Sequence, residues 1–114
     1  MQKWSLRARF TETLEAGQVH KEPATVLNGV EYRLEACGDL GVVDAGLKVL
    51  DEEGNVIAET SGSREPVIEF GPGPWGGLEI VLEQRELQAA GTGAVAVALQ
   101  YRGPVPPAGV EEAK

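Results

Sequence analysis

Three aspartates and two glutamates stand within 37-CGDLGVVDAGLKVLDEEGN-55. A calcium ion takes about six to eight oxygens, drawn from carboxylates and backbone carbonyls on sharply turning loops. Asp39, Asp44 and Gly41 are material of that kind. One chemistry for this stretch is therefore a calcium site between Cys37 and Gly46, with Asp39 and Asp44 as carboxylate ligands. No D-x-[DN]-x-[DN]-G loop accompanies them. The competing reading gives the same residues a backbone task. Asp39 and Asp44 cap turns or line a solvated edge, and Asp51-Glu52-Glu53-Gly54-Asn55 is a hairpin turn, because Asp, Asn and Gly are what turns require.

The second candidate is Trp75, set among glycines and prolines in 71-GPGPWGG-77. An indole held there serves either as an exposed platform for a sugar ring or a peptide, or as a lid folded over the end of the core. Catalytic constellations are short of parts. His20 is the single histidine and Cys37 the single cysteine, so neither a Cys/His zinc cluster nor an intrachain disulfide can be assembled. No serine sits in a G-x-S-x-G elbow that would give His20 a partner, and no Walker loop is present. Cys37 ends an alternating run with no basic neighbour to activate a thiolate, and reads as a half-buried small residue.

The elements that must position these residues have a period of two. In 4-WSLRARF-10 the apolar Trp4, Leu6, Ala8 and Phe10 alternate with Ser5, Arg7 and Arg9, the pattern of a half-buried antiparallel strand. The same alternation runs through 30-VEYRLEA-36 and 93-GAVAVALQYR-102. Further strands fit 24-ATVL-27, 46-GLKVL-50, 55-NVIAE-59, 66-PVIEF-70 and 77-GLEIVLE-83. Turn signals separate them, and 83-EQRELQAA-90 alone offers a helical turn or a long crossing loop. Such spacing predicts an all-β protein, a single antiparallel β-sandwich of seven to nine strands. Its core should hold Trp4, Leu6, Phe10, Tyr32, Leu34, Leu47, Val49, Ile80, Leu82, Val97 and Leu99. Residues 1–102 form this domain, and the proline-rich 103–114 is a mobile tail.

Composition narrows the partners. The chain has 114 residues, with ten Lys and Arg against eighteen Asp and Glu, a formal charge of −8. That balance repels phosphate backbones and anionic lipid, so nucleic acid is set aside as a partner. The longest apolar run, 94-AVAVAL-99, is too short to span a bilayer, which sets aside membrane insertion. The beginning, MQKWSLRARF, carries no apolar core of signal-peptide type. The chain is therefore either cytoplasmic or the mature form of an exported protein.

Three segments in order, 25-TVLNGVEYRLEACGD-39, 44-DAGLKVLDEEGNVIAE-59 and 66-PVIEFGPGPWGGLEIVLE-83, resemble the bacterial pre-peptidase C-terminal (PPC) domain. Asp44, Leu47, Val49, Asp51 and Gly54 fall where that family has its D-x-D-L-x-L-x-D-x-x-G block. Gly46 stands in place of the second Asp, and Leu78 in place of the aromatic of "G-x-Y". The resemblance implies a jelly-roll-like β-sandwich, secreted or periplasmic and not itself catalytic, some members of which bind extracellular protein or calcium. Two functions are then expected as alternatives. One is a non-catalytic extracytoplasmic binding module for protein or polysaccharide, with Trp75 in its binding surface. The other is a purely structural or self-associating stability domain, whose oligomeric state the sequence leaves open.

Overall fold

The computed structural model describes residues 4–73 and 76–102. Eight strands follow one another: β1 (Ser5–Glu15), β2 (Val19–Thr25), β3 (Glu31–Gly38), β4 (Val42–Leu50), β5 (Val56–Ser63), β6 (Val67–Phe70), β7 (Gly77–Leu87) and β8 (Thr92–Arg102). No helix occurs among the described residues. The proline-rich tail lies outside them.

The topology is that of a hairpin folded at its middle. About the 51–55 turn, β4 pairs with β5, β3 with β6, β2 with β7 and β1 with β8, all antiparallel. This doubled ribbon is rolled so that β8 also pairs with β3, and β7 with β4. Two four-stranded sheets result, in the orders β1-β8-β3-β6 and β2-β7-β4-β5. The order is that of a jelly roll, in which two packed antiparallel sheets bury one face of each strand.

Alternation places the core as expected along the inner strands. Tyr32, Leu34, Leu47, Val49, Ile80, Leu82, Val97 and Leu99 are buried, while Trp4 and Phe10 are half-buried. Leu6 departs from the expectation and is 55% exposed. The cause is a register shift in β1. Leu6 pairs with Gln100 and Ala8 with Leu99, so Arg7 is an extra residue. One inserted residue reverses the parity of the strand, and Leu6 turns to the outer face with Gln100. The helical-turn or crossing-loop reading of 83–90 is also corrected, because β7 runs on through Leu87 against β4. Pairing with β4 outweighs the helix propensity of Glu-Gln-Arg-Glu. Residues 24–27 are expected to be a strand, but β2 ends at Thr25, and the next residue, Val26, enters the core. As an edge strand containing Pro23, β2 shows little apolar alternation of its own.

Antiparallel order sorts the turns between two ends of the sandwich. Residues 16–18, 39–41, 64–66 and 88–91 share one end, called here the Asp39 end. Residues 26–30, 51–55 and the segment after Phe70 share the other, the Asp51 end.

Candidate functional site

At the Asp39 end a three-residue turn is fixed from several directions. Asp39 Oδ1 accepts the Gly41 N–H (2.9 Å) and Oδ2 accepts the Ala94 N–H (3.0 Å). Asp39 N–H donates to the Ala94 carbonyl (2.9 Å), and the Asp39 carbonyl accepts from Val42 N–H (3.0 Å). From the far side Gln88 N–H donates to the Gly41 carbonyl (2.9 Å). The accepted backbone N–H groups, Ala94 first and then Gly41, hold the Asp39 carboxyl below its ordinary value of 3.8. Leu40, between these fixed neighbours, projects into solvent at 79% exposure, the largest value of any exposed large hydrophobic residue described. Val43 beside it is exposed as well.

The interior beneath this turn is dense and carries one buried amide. Gln84 is 0% exposed, and its Nε2 donates to the carbonyls of Gly93 (3.0 Å) and Leu14 (3.4 Å). Its backbone accepts from Gly17 N–H and donates to the Gln18 carbonyl. One residue of β7 thus ties the 16–18 turn and two strands of the opposite sheet together. A Cβ at Gly93 would stand 2.7 Å from both Leu87 Cδ2 and Val42 Cγ2, so only glycine fits there.

Asp44 has a comparable structural duty. Its Oδ1 accepts the Gly62 N–H (2.8 Å) and its Oδ2 faces Arg85 Nε at 3.4 Å. Arg85 also reaches Glu83 (3.2 Å). A Cβ added at Gly46 would lie 3.1 Å from Arg85 Cδ. The bare glycine leaves room for the arginine stem that reaches Asp44. The ion pair itself is largely solvated and contributes little to stability.

The two carboxylates expected to ligate calcium are therefore engaged by N–H donors on all four oxygens. No group of three or more His, Cys, Asp or Glu side chains suited to a metal ion occurs among the described residues. Asp39 bonds in the geometry of a turn cap, and Asp44 ties β4 to β5 and β7. At the other end of β4, Asp51 repeats the device. Its Oδ1 accepts from Glu53 and Asn55 N–H (both 2.9 Å), and its Oδ2 from Asn55 Nδ2 (3.2 Å).

Trp75 lies outside the described residues. The backbone on either side of it is tied to the 26–30 turn, with Gly29 N–H donating to the Gly73 carbonyl and Val26 N–H to that of Gly76. At the same end Leu27 is 47% exposed, Leu27 N–H donates to Tyr32 Oη (2.6 Å), and the Arg102 guanidinium stands 4.3 Å from the Trp4 ring centroid. His20 Nε2 meets Glu22 Oε1 at 2.8 Å and Glu12 Oε2 at 3.7 Å, with Phe10 against its ring. No hydroxyl or thiol contacts it among the described residues. Cys37 is exposed on the outer face of its sheet, its thiol 3.7 Å from Glu65 Oε2. Sequence reasoning missed Leu40 as a surface feature. The only signal for it was an apolar residue caught between Asp and Gly, and its exposure depends on bonds to Ala94 and Gln88, remote in the chain.

No family model matches the chain, and no curated protein matches it significantly. Among solved structures it is similar to PliG of Aeromonas hydrophila, a periplasmic lysozyme inhibitor of g-type lysozyme, with a TM-score of 0.65 and 11% identity over 86% of this chain and 88% of that one. At that identity the likeness is one of fold, and it covers nearly the whole sandwich.

Proposed function

We propose that this chain is a non-catalytic, extracytoplasmic module that binds a protein partner through its Asp39 end, with Leu40 as the apolar anchor. The observation that carries the reading is the fixed turn. A side chain held out by five hydrogen bonds to its neighbours needs little ordering when it enters a partner's pocket, and such preorganisation is converted into affinity. An apolar anchor surrounded by near-neutral polar contacts is the usual energetic form of a protein interface. The acidic balance of the chain favours a partner with a basic surface.

The fold shared with a periplasmic inhibitor protein supports the same reading, as does the resemblance to the PPC domain. A g-type lysozyme is the first partner to try. Isothermal titration of the chain into g-type lysozyme should give saturable binding, and Leu40→Ser should weaken it by about tenfold or more, the scale of a buried anchor. Trp75→Ala is the matched variant at the other end and should leave affinity within about twofold. The reverse pattern would move the binding surface to the 71–77 segment. Absence of any binding by the wild type would remove lysozyme as the partner.

A further inference from the structure

A cleft of about 210 Å³ opens on the side of the sandwich where β1 and β2 face each other. These are edge strands of different sheets and are not paired with one another. Small side chains meet across the gap, Ala8 from β1 and Pro23 and Ala24 from β2, and its floor is formed by the core residues Ile80 and Leu99. The register shift in β1 contributes directly, because it makes Arg7 the unpaired extra residue and sets Ala8, rather than a larger side chain, opposite Leu99. Arg7 then reaches over the mouth of the cleft, its Nη2 donating to the Thr25 carbonyl of β2 at 3.4 Å.

The charge at this mouth runs against the rest of the molecule. Arg7 bonds the neutral Thr25 carbonyl and forms no ion pair among the described residues, although the chain carries −8 overall; Arg9, opposite Ala98, faces the outer side of the sheet. Glu22, the carboxylate on the same rim, is already engaged with His20. An apolar floor beside the exposed Arg7 guanidinium is matched by a molecule with an apolar chain and one anionic head. We propose that this cleft binds a medium-chain alkyl carboxylate, with the chain laid between Ala8 and Ala24 toward Ile80 and Leu99 and the carboxylate on Arg7. Guanidinium suits that head, since its fork accepts a carboxylate through two parallel N–H bonds. The apolar floor favours a chain of octanoate length over butyrate, because each further methylene laid on it removes more apolar surface from water.

The test is a set of ¹⁵N–¹H NMR titrations of the intact chain with octanoate, butyrate and octylammonium. Octanoate should saturate in the millimolar range and shift the amides of Ala8, Phe10, Ala24 and Ile80. Butyrate and octylammonium should each bind at least about tenfold more weakly, and the exposed-residue variant Arg7→Gln should weaken octanoate by about the same factor while leaving the rest of the spectrum unchanged. The proposal is overturned if octanoate gives no saturable shifts, if octylammonium matches it, if Arg7→Gln binds as the wild type does, or if the shifts fall on another part of the molecule. The outcome is independent of whether any protein partner binds the Asp39 end.

Discussion

Asp39 and Asp51 close turns at opposite ends of the same strand, β4, and each has its carboxyl held below the ordinary range by backbone N–H groups that it accepts. They differ in reach. Asp51 bonds only within residues 51–55, whereas Asp39 reaches Ala94, 55 positions away on β8, the neighbour of β3 in its own sheet. What lies beneath them differs too. Under the Asp39 end sit a fully buried amide and a glycine enclosed on two sides, while at the Asp51 end a Cβ added at Gly76 would meet nothing within 4 Å. The same residue type in the same kind of turn thus serves a rigid, cross-linked end in one case and a self-contained hairpin in the other. A rigid end can present Leu40 in one conformation.

The largest effects should come from loosening the interior of the Asp39 end. Gln84→Ala removes both inter-sheet donors and leaves a cavity, and should lower stability by about 2–4 kcal/mol. Gly93→Val forces a branched side chain against Val42 and Leu87 and should cost about 1–3 kcal/mol. Gly76→Ala, the control at the open end, should stay within about 0.5 kcal/mol. Chemical denaturation of the three variants checks the order. Equal losses at both ends would erase the contrast.

Next in size are the aspartates. Asp39→Asn turns an acceptor oxygen into an N–H₂ group facing a backbone N–H, and should lower the melting temperature more than Asp51→Asn, since it unfastens the turn from β8 as well as from itself. Both carboxyls are more acidic in the folded than in the unfolded chain, so the folded state binds fewer protons. Their stabilisation is present above the ordinary value of 3.8 and is lost as the pH falls through the lower folded values. In melts at descending pH the gap between wild type and Asp39→Asn should therefore close below 3.8. A gap that persists unchanged in acid would show that the charge of Asp39 contributes nothing.

The smallest effects are the most discriminating. Leu40→Ser should change stability by no more than about 0.5 kcal/mol, because the side chain packs against little. Melting temperatures in millimolar calcium and in EDTA decide between ligand and turn cap for Asp39 and Asp44, since binding to the native state alone raises the midpoint and coincident midpoints leave only the turn-capping role.

Much of this was legible in the sequence. Period-two alternation located the inner strands, and turn residues separated them. The failures share a cause, which is information held by another strand. Nothing near Leu6 announces the extra residue at Arg7, because the shift exists only relative to β8. Gln84 and Glu86 read as helix formers until β4 pairs with them. Asp39 and Asp44 looked like a shared ligand pair, yet one is bonded to β8 and the other to β5, and only the three-dimensional pairing separates them. The binding segment anticipated around Trp75 lies partly outside the described residues, so the comparison of the two ends is the test of that expectation.

Amide hydrogen exchange, measured on the chain alone and with g-type lysozyme, tests the central claim most directly. In the free chain the amides of Ala94 and Gln88, whose bonds reach the 39–41 turn from remote strands, should exchange more slowly than those of Glu53, Gly54 and Asn55, whose bonds close only residues 51–55. With the partner added, further protection should appear at 39–43 and 88 and be absent from 26–30 and 51–55. Fast exchange at Ala94 and Gln88, or a footprint confined to the Asp51 end, would contradict the account.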